Sequence, residues 1–172
     1  MNRVPSTIPD GFAPDITVRR GSGVGRTALA AFDRALLDAG VSNFNLIPLS
    51  SVIPPGSAVR LERDALGGVH GDRLYCVLSA AHAEQPGEIV WAGLGWVRDP
   101  DTGAGLFVEH HAGSEESLLE MITLTLTDMV DSRGGGYGEV ETMVSSAHCV
   151  DRPVCALVLA AYSVVSWGAD AR

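Results

Sequence analysis

Apolar residues recur along this chain with two periods. From Ala28 to Ala39 they fall at helical spacing, with Leu29, Phe32, Leu36 and Leu37 as the stripe and Gly40 as the stop. A second helix is predicted from Glu115 to Ser132: Ser114 suits its N-cap, Glu115 and Glu116 its positive start, and Gly134-Gly135-Gly136 its end. Elsewhere the apolar runs are short and β-rich. Asp15–Arg19, Ser42–Leu49, Ala58–Glu62, Leu74–Ala81, Glu88–Val97, Gly105–His110, Gly138–Ser145 and Val154–Val165 read as extended pieces, with turns at Gln85-Pro86-Gly87 and Pro100-Asp101-Thr102-Gly103. Pro153–Gly168 is slightly short for a membrane span and contains Ser163 and Ser166, so it is expected to be a fully buried core strand. Gly21–Thr27, GSGVGRT, is expected to be a loop that caps the first helix. It lacks the GK[ST] ending of a phosphate-binding loop, which disfavours a nucleotide site. The N-terminal MNRVPSTIPDGFAPD has three prolines and no long apolar core, so it is expected to be an irregular arm and not a signal peptide. The order of elements predicts one α/β sandwich domain over residues 1–172, with helices covering sheet faces.

Composition narrows the function classes. A length of 172 residues and 46% hydrophobic content suit a single domain with a sizeable core. A formal net charge of −9 argues against nucleic acid, which requires clustered Lys and Arg. An acidic surface fits a cationic small molecule, although charge by itself favours the plainer reading, solubility alone. Cys76, Cys149 and Cys155 form neither a CxxC spacing nor an even set. They read as buried small residues in a reducing, cytoplasmic compartment, with no disulfide framework and no zinc site.

The candidate chemistry lies in Asn43–Gly56, NFNLIPLSSVIPPG, where Ser50 and Ser51 stand between an apolar run and a double proline. The setting suits a backbone bond that the protein attacks itself. If Ser51 Oγ attacks the Ser50 carbonyl carbon, the amide becomes an ester, and the attack needs that carbonyl polarised by a donor such as the Asn45 amide. β-Elimination then leaves a carboxylate at Ser50 and dehydroalanine at position 51, and hydrolysis with loss of ammonia gives a pyruvoyl ketone. The same residues also suit an ordinary strand end before a stiff turn, and pattern alone favours that plainer reading. Asp33 is a second candidate, because it falls inside the apolar stripe of the first helix, where an acid costs free energy unless something pairs with it.

The span Gly21–Gly56, with its Gly/Ser-rich segment, AFDRALLDAG helix, NxNL element, Ser-Ser pair and Pro-Pro turn in that order, resembles the pyruvoyl-dependent arginine decarboxylases. The resemblance continues more weakly through Pro86–Glu88, Gly105–Gly113 and the segment around HCVDRPVCALVLAAYSVV. It implies cleavage between Ser50 and Ser51 into a β chain of residues 1–50 and an α chain of residues 51–172. The α chain then begins with a covalent pyruvoyl group that condenses with the substrate amine and serves as electron sink, without a metal. It also implies roles for single residues. Asn45 belongs to processing and to the active site, Asp33 holds the substrate guanidinium, and Glu109 is the acid that protonates the carbanion left by carbon dioxide. At the level of assembly, it implies a four-layer αββα sandwich in homotrimers with sites shared between neighbours, and no membrane or nucleic-acid partner.

Two local features depart from the family pattern. Pro48 stands where a basic or polar residue is usual and removes an N–H three residues before Ser51. His110-His111-Ala112-Gly113 is one residue longer than the usual segment, and adjacent histidines on a strand point to opposite faces, which disfavours a shared metal. Two other readings stand beside the arginine enzyme: an uncleaved homologue used for binding or assembly, and a pyruvoyl decarboxylase for another amino acid.

Overall fold

The computed structural model describes residues 13–168. Of the N-terminal arm, residues 1–12 lie outside this range. The chain forms, in order, β1 (Asp15–Val24), α1 (Ala28–Asp38), β2 (Asn45–Pro48), β3 (Val52–Ile53), β4 (Ala58–Leu61), β5 (Arg73–Ala83), β6 (Ile89–Arg98), β7 (Gly105–Ala112), α2 (Glu115–Ser132), β8 (Glu141–His148) and β9 (Val154–Val165). One sheet has the order β2-β5-β9-β1-β4, the other β3-β7-β6-β8.

Side-chain alternation sorts these elements into four layers. Ile16, Val18, Val77, Val158 and Ala160 of the first sheet meet Ile53, Leu94, Trp96 and Phe107 of the second. The opposite face of the first sheet, with Cys76, Cys155, Leu157 and Leu159, packs against Ala31, Ala35 and Leu36 of α1 and its C-cap Ala39. The outer face of the second sheet receives Leu118, Ile122 and Leu126 of α2, residues four apart that form one helical stripe. The result is an αββα sandwich. Strand β9 lies at the centre of its sheet with neighbours on both faces, which explains why Val154–Ala161 is an unbroken buried run without polar alternation. Among the described residues no helix is long and apolar enough to cross a membrane.

Both predicted helices form, and α2 has the predicted bounds, with Ser114 Oγ accepting from Ser117 N–H. Two expectations change. Gly21–Val24 is not loop: β1 runs through it, paired to β9 as far as Val24↔Val154. The glycines are there for the helix. A Cβ at Gly21 would come within 2.1 Å of the Ala35 carbonyl oxygen, and one at Gly23 within 2.3 Å of that of Ala31, so only bare backbone lets α1 lie this close. For the same reason the inner face of α1 is made mostly of alanines, and of the stripe of large residues read from the sequence only Leu36 is buried and Phe32 half-buried. Leu29 is 76% and Leu37 52% exposed, and Asp33 between them is exposed too. The strand missed in the sequence is β3, two residues long, which pairs Val52 with Leu106 and Ile53 with Gly105.

Candidate active site

The Ser50–Ser51 bond lies where the chain leaves one sheet for the other. Before it, β2 is an edge strand held parallel to β5, and the Leu49 N–H still reaches the Cys76 carbonyl at 2.9 Å. Pro48 tolerates that position because a missing N–H on an edge strand costs no ladder bond when it faces outward. After it, β3 joins the edge of the second sheet, and Phe107 N–H donates to the Ser51 carbonyl at 2.8 Å. The chain must therefore turn sharply within two residues that are anchored on either side. Ser51 takes up the turn with φ of 70°, the left-handed region, and among the described residues it is the only residue other than glycine to do so. That conformation costs a residue with a Cβ about 1–2 kcal/mol, and such costs collect at sites of chemistry.

The register then brings in an acid from 58 residues away. Ser51 lies opposite Phe107, and Glu109 follows Phe107 on the same face of β7. The buried Ser51 Oγ donates to Glu109 Oε2 at 2.8 Å. Tyr162 of β9 completes the cluster: its hydroxyl donates to the Val52 carbonyl at 2.9 Å, and its ring meets Phe107 edge-on with centroids 6.1 Å apart. Burial, and secondarily the Glu109 carboxylate, push the Tyr162 phenol above its ordinary pKa, so it stays a proton-bearing donor. Tyr162 carried no signal in the sequence beyond its place in an apolar run.

The other expected residues stand elsewhere. Asn45 opens β2, where its Nδ2 donates to the Gly71 carbonyl at 2.7 Å. At about 3.3 Å per residue the four residues of β2 put it roughly 10 Å from Pro48, itself two residues short of Ser50. The structure thus does not bring the Asn45 amide to the Ser50 carbonyl. Asp33 lines a cleft of about 730 Å³ with Ser22, Arg34, Ser146, His148 and Val154. Val154 and Tyr162 are eight residues apart on one strand, so this cleft lies roughly 26 Å from the Ser51 cluster. Of the adjacent histidines, His110 faces α2 and pairs with Thr125 Oγ1 at 2.8 Å, whereas His111 is exposed. Among the described residues no group of His, Cys, Asp or Glu side chains is arranged to hold a metal ion. Cys76, Cys149 and Cys155 are free and buried, and burial raises the Cys76 and Cys155 thiols to about 11.

This geometry can be set beside known proteins. The family model for pyruvoyl-dependent arginine decarboxylase matches residues 15–166. Proteins of that name from two strains of Halobacterium salinarum are 37% identical over 156 residues, 87% of this chain and 94% of theirs. One from Methanococcoides burtonii is 33% identical over 101 residues, 58% of this chain and 56% of its own. A solved structure titled pyruvoyl-dependent histidine decarboxylase at pH 8 aligns with 17% identity and a TM-score of 0.42, over 60% of this chain and 54% of that one. That last likeness is too slight to bear on the fold.

Proposed function

The chain belongs to the pyruvoyl-dependent arginine decarboxylase family, and on that premise we propose that it cuts its own Ser50–Ser51 bond and converts arginine to agmatine and carbon dioxide. The observation that carries the proposal is the Ser51 position: a buried hydroxyl 2.8 Å from a carboxylate, on a residue held at φ of 70° between two anchored strands. The group formed at position 51 supplies a ketone that takes up the substrate amine and the electron pair released with carbon dioxide.

The chain's own residues do the rest. Phe107 N–H, already on the Ser51 carbonyl, stabilises negative charge that spreads onto that oxygen. Glu109 is within hydrogen-bond reach of residue 51, the place from which a proton donor serves the reacting carbon. Asn45, tied to Gly71, is assigned to holding the β2 end of the cut segment rather than to polarising the Ser50 carbonyl. Asp33 supplies the carboxylate that a guanidinium pairs with. At roughly 26 Å along β9 it cannot do so for the Ser51 of its own chain. The substrate site is therefore assigned to a contact between subunits of a homotrimer, with Asp33 coming from the neighbour. The exposed leucines one turn to either side of Asp33 support this, since they give the acid an apolar surround once a second subunit covers them. The free, buried cysteines support a reducing, cytoplasmic setting.

Intact mass measurement of freshly purified protein, with and without borohydride, tests the proposal. Two fragments split after Ser50, the larger with a reducible ketone, are the expected result. A single chain of full mass refutes self-cleavage. A cut protein that releases carbon dioxide from lysine or ornithine but not from arginine refutes the substrate.

A further inference from the structure

Strand β9 carries one irregularity, and it falls beside the cut site. Its pairing with β5 runs Tyr75↔Ser163 and then Cys76↔Ala161, which leaves Tyr162 as an extra residue without a partner on β5. The alternation of β9 records the slip. Leu157, Leu159 and Ala161 face α1, and so does Val164, where strict alternation would have put Ser163. A bulge of this kind bends a strand and re-aims a side chain, and bulges are frequent next to active sites. Here the side chain it aims is a phenol, which crosses between the sheets to reach the Val52 carbonyl at 2.9 Å.

We infer that Tyr162 is a positioning residue for the group formed at position 51, holding the first peptide of the new N-terminus in register on β7. The inference rests on the proposed self-cleavage. Cutting the Ser50–Ser51 bond frees residue 51 from β2, and β3 is only two residues long. Between the cut and the Ile53↔Gly105 pair, two hydrogen bonds survive and grip successive carbonyls: Phe107 N–H on that of residue 51 and Tyr162 Oη–H on that of Val52. Without the second, the end of the strand beyond Ile53 is held by the first alone, and the ketone loses its fixed orientation toward Glu109. Orientation of this sort acts on turnover more than on substrate binding. The ring of Tyr162 has a separate packing role against Phe107, so the hydroxyl must be removed by itself.

The test compares wild type, Tyr162→Phe and Tyr162→Leu in three measurements: cleavage by intact mass, steady-state decarboxylation of arginine, and the rate at which borohydride reduces the ketone. Wild type must first be cleaved and active. If it is not, the functional proposal fails and takes this one with it. With wild type active, Tyr162→Phe is expected to cleave fully, to lose kcat about fivefold with KM nearly unchanged, and to be reduced by borohydride about twofold faster. Tyr162→Leu is expected to be at least as slow. A Tyr162→Phe enzyme with wild-type kcat and borohydride rate, beside a slow Tyr162→Leu, shows that only ring packing matters and overturns the assignment. A Tyr162→Phe chain that stays whole also overturns it, because the hydroxyl would then act on cleavage and not on the product.

Discussion

Ser51 and Glu109 show how a two-residue strand sets up chemistry. Neither side chain is unusual by itself; the pairing of Val52 with Leu106 fixes Ser51 opposite Phe107 and leaves Glu109 one step further along the same face. Roles at this scale separate cleanly by substitution. Ser51→Ala removes the proposed nucleophile, so its purified protein is expected as a single chain of full mass. Glu109→Gln keeps the shape and a hydrogen-bonding group, so it is expected to cleave but to decarboxylate at least about a hundredfold more slowly, the scale of a lost general acid. Wild-type turnover in that variant would remove Glu109 from the reaction. Asp33→Ala is expected to cleave normally and to raise the KM for arginine about ten- to a hundredfold, the scale of a hydrogen bond to a charged group. Intact mass and carbon dioxide release read all three. The sequence revealed these residues unevenly. Asp33 stands out in the sequence as an acid inside an apolar stripe, but it and its neighbours Leu29 and Leu37 are exposed, so the cost of burial that singles it out is absent. Glu109 gave no local signal, because its partner Ser51 is brought to it by a register set 58 residues away.

At the scale of elements, α1 against β1 is the contact most dependent on exact sequence. Helix periodicity located α1 well, but the search for large apolar residues found only part of its buried side, Leu36 and the half-buried Phe32. The rest of the burial belongs to Ala31, Ala35 and the C-cap Ala39, which fit because Gly21 and Gly23 clear the way. Gly21→Ala forces a methyl against backbone, with the Ala35 carbonyl oxygen at 2.1 Å and the Ala39 nitrogen at 2.8 Å. Overpacking of this kind costs about 1–3 kcal/mol, so thermal unfolding is expected roughly 3–10 °C lower. An unchanged melting temperature would show that the helix can move aside. The glycines were legible as special but read as loop, since glycine that bends a chain and glycine that admits a neighbour look alike in one sequence. The ends of β2, β8 and β1 differ from expectation by a few residues for a related reason: pairing partners, not local pattern, decide where a strand stops.

At the scale of the molecule, the separation of Asp33 from Ser51 implies a property that one subunit cannot show. On the proposed shared site, Asp33→Ala and Glu109→Gln each damage a different half, so co-expressed subunits assayed at arginine well below the wild-type KM are expected to recover activity. Random assembly of equal amounts leaves about one site in four with both halves intact, which sets the recovery under those conditions at about a quarter of wild type. Two separately purified variants mixed without subunit exchange supply the control. No recovery on co-expression would place both halves in one chain. The layered architecture was readable from the two periodicities, whereas the sheet order was not, because strands distant in sequence pair through contacts that leave no local trace.

That sheet order has a consequence for the protein's history. The segment before the proposed cut contributes β1 and β2, which lie on either side of the β5–β9 pair, while α1 crosses over the outside between them. The shorter fragment is thus a clasp closed around the longer one, and β4 closes the far side of β1 in turn. Such a clasp is threaded while its two parts are still one chain, because Phe107 and Glu109, which shape the cut site, come from beyond the cut. On the proposed processing, folding has to precede scission, and the covalent link is used once, as a guide. A processed molecule that is fully unfolded has lost that guide, and its two pieces must then find each other as strangers.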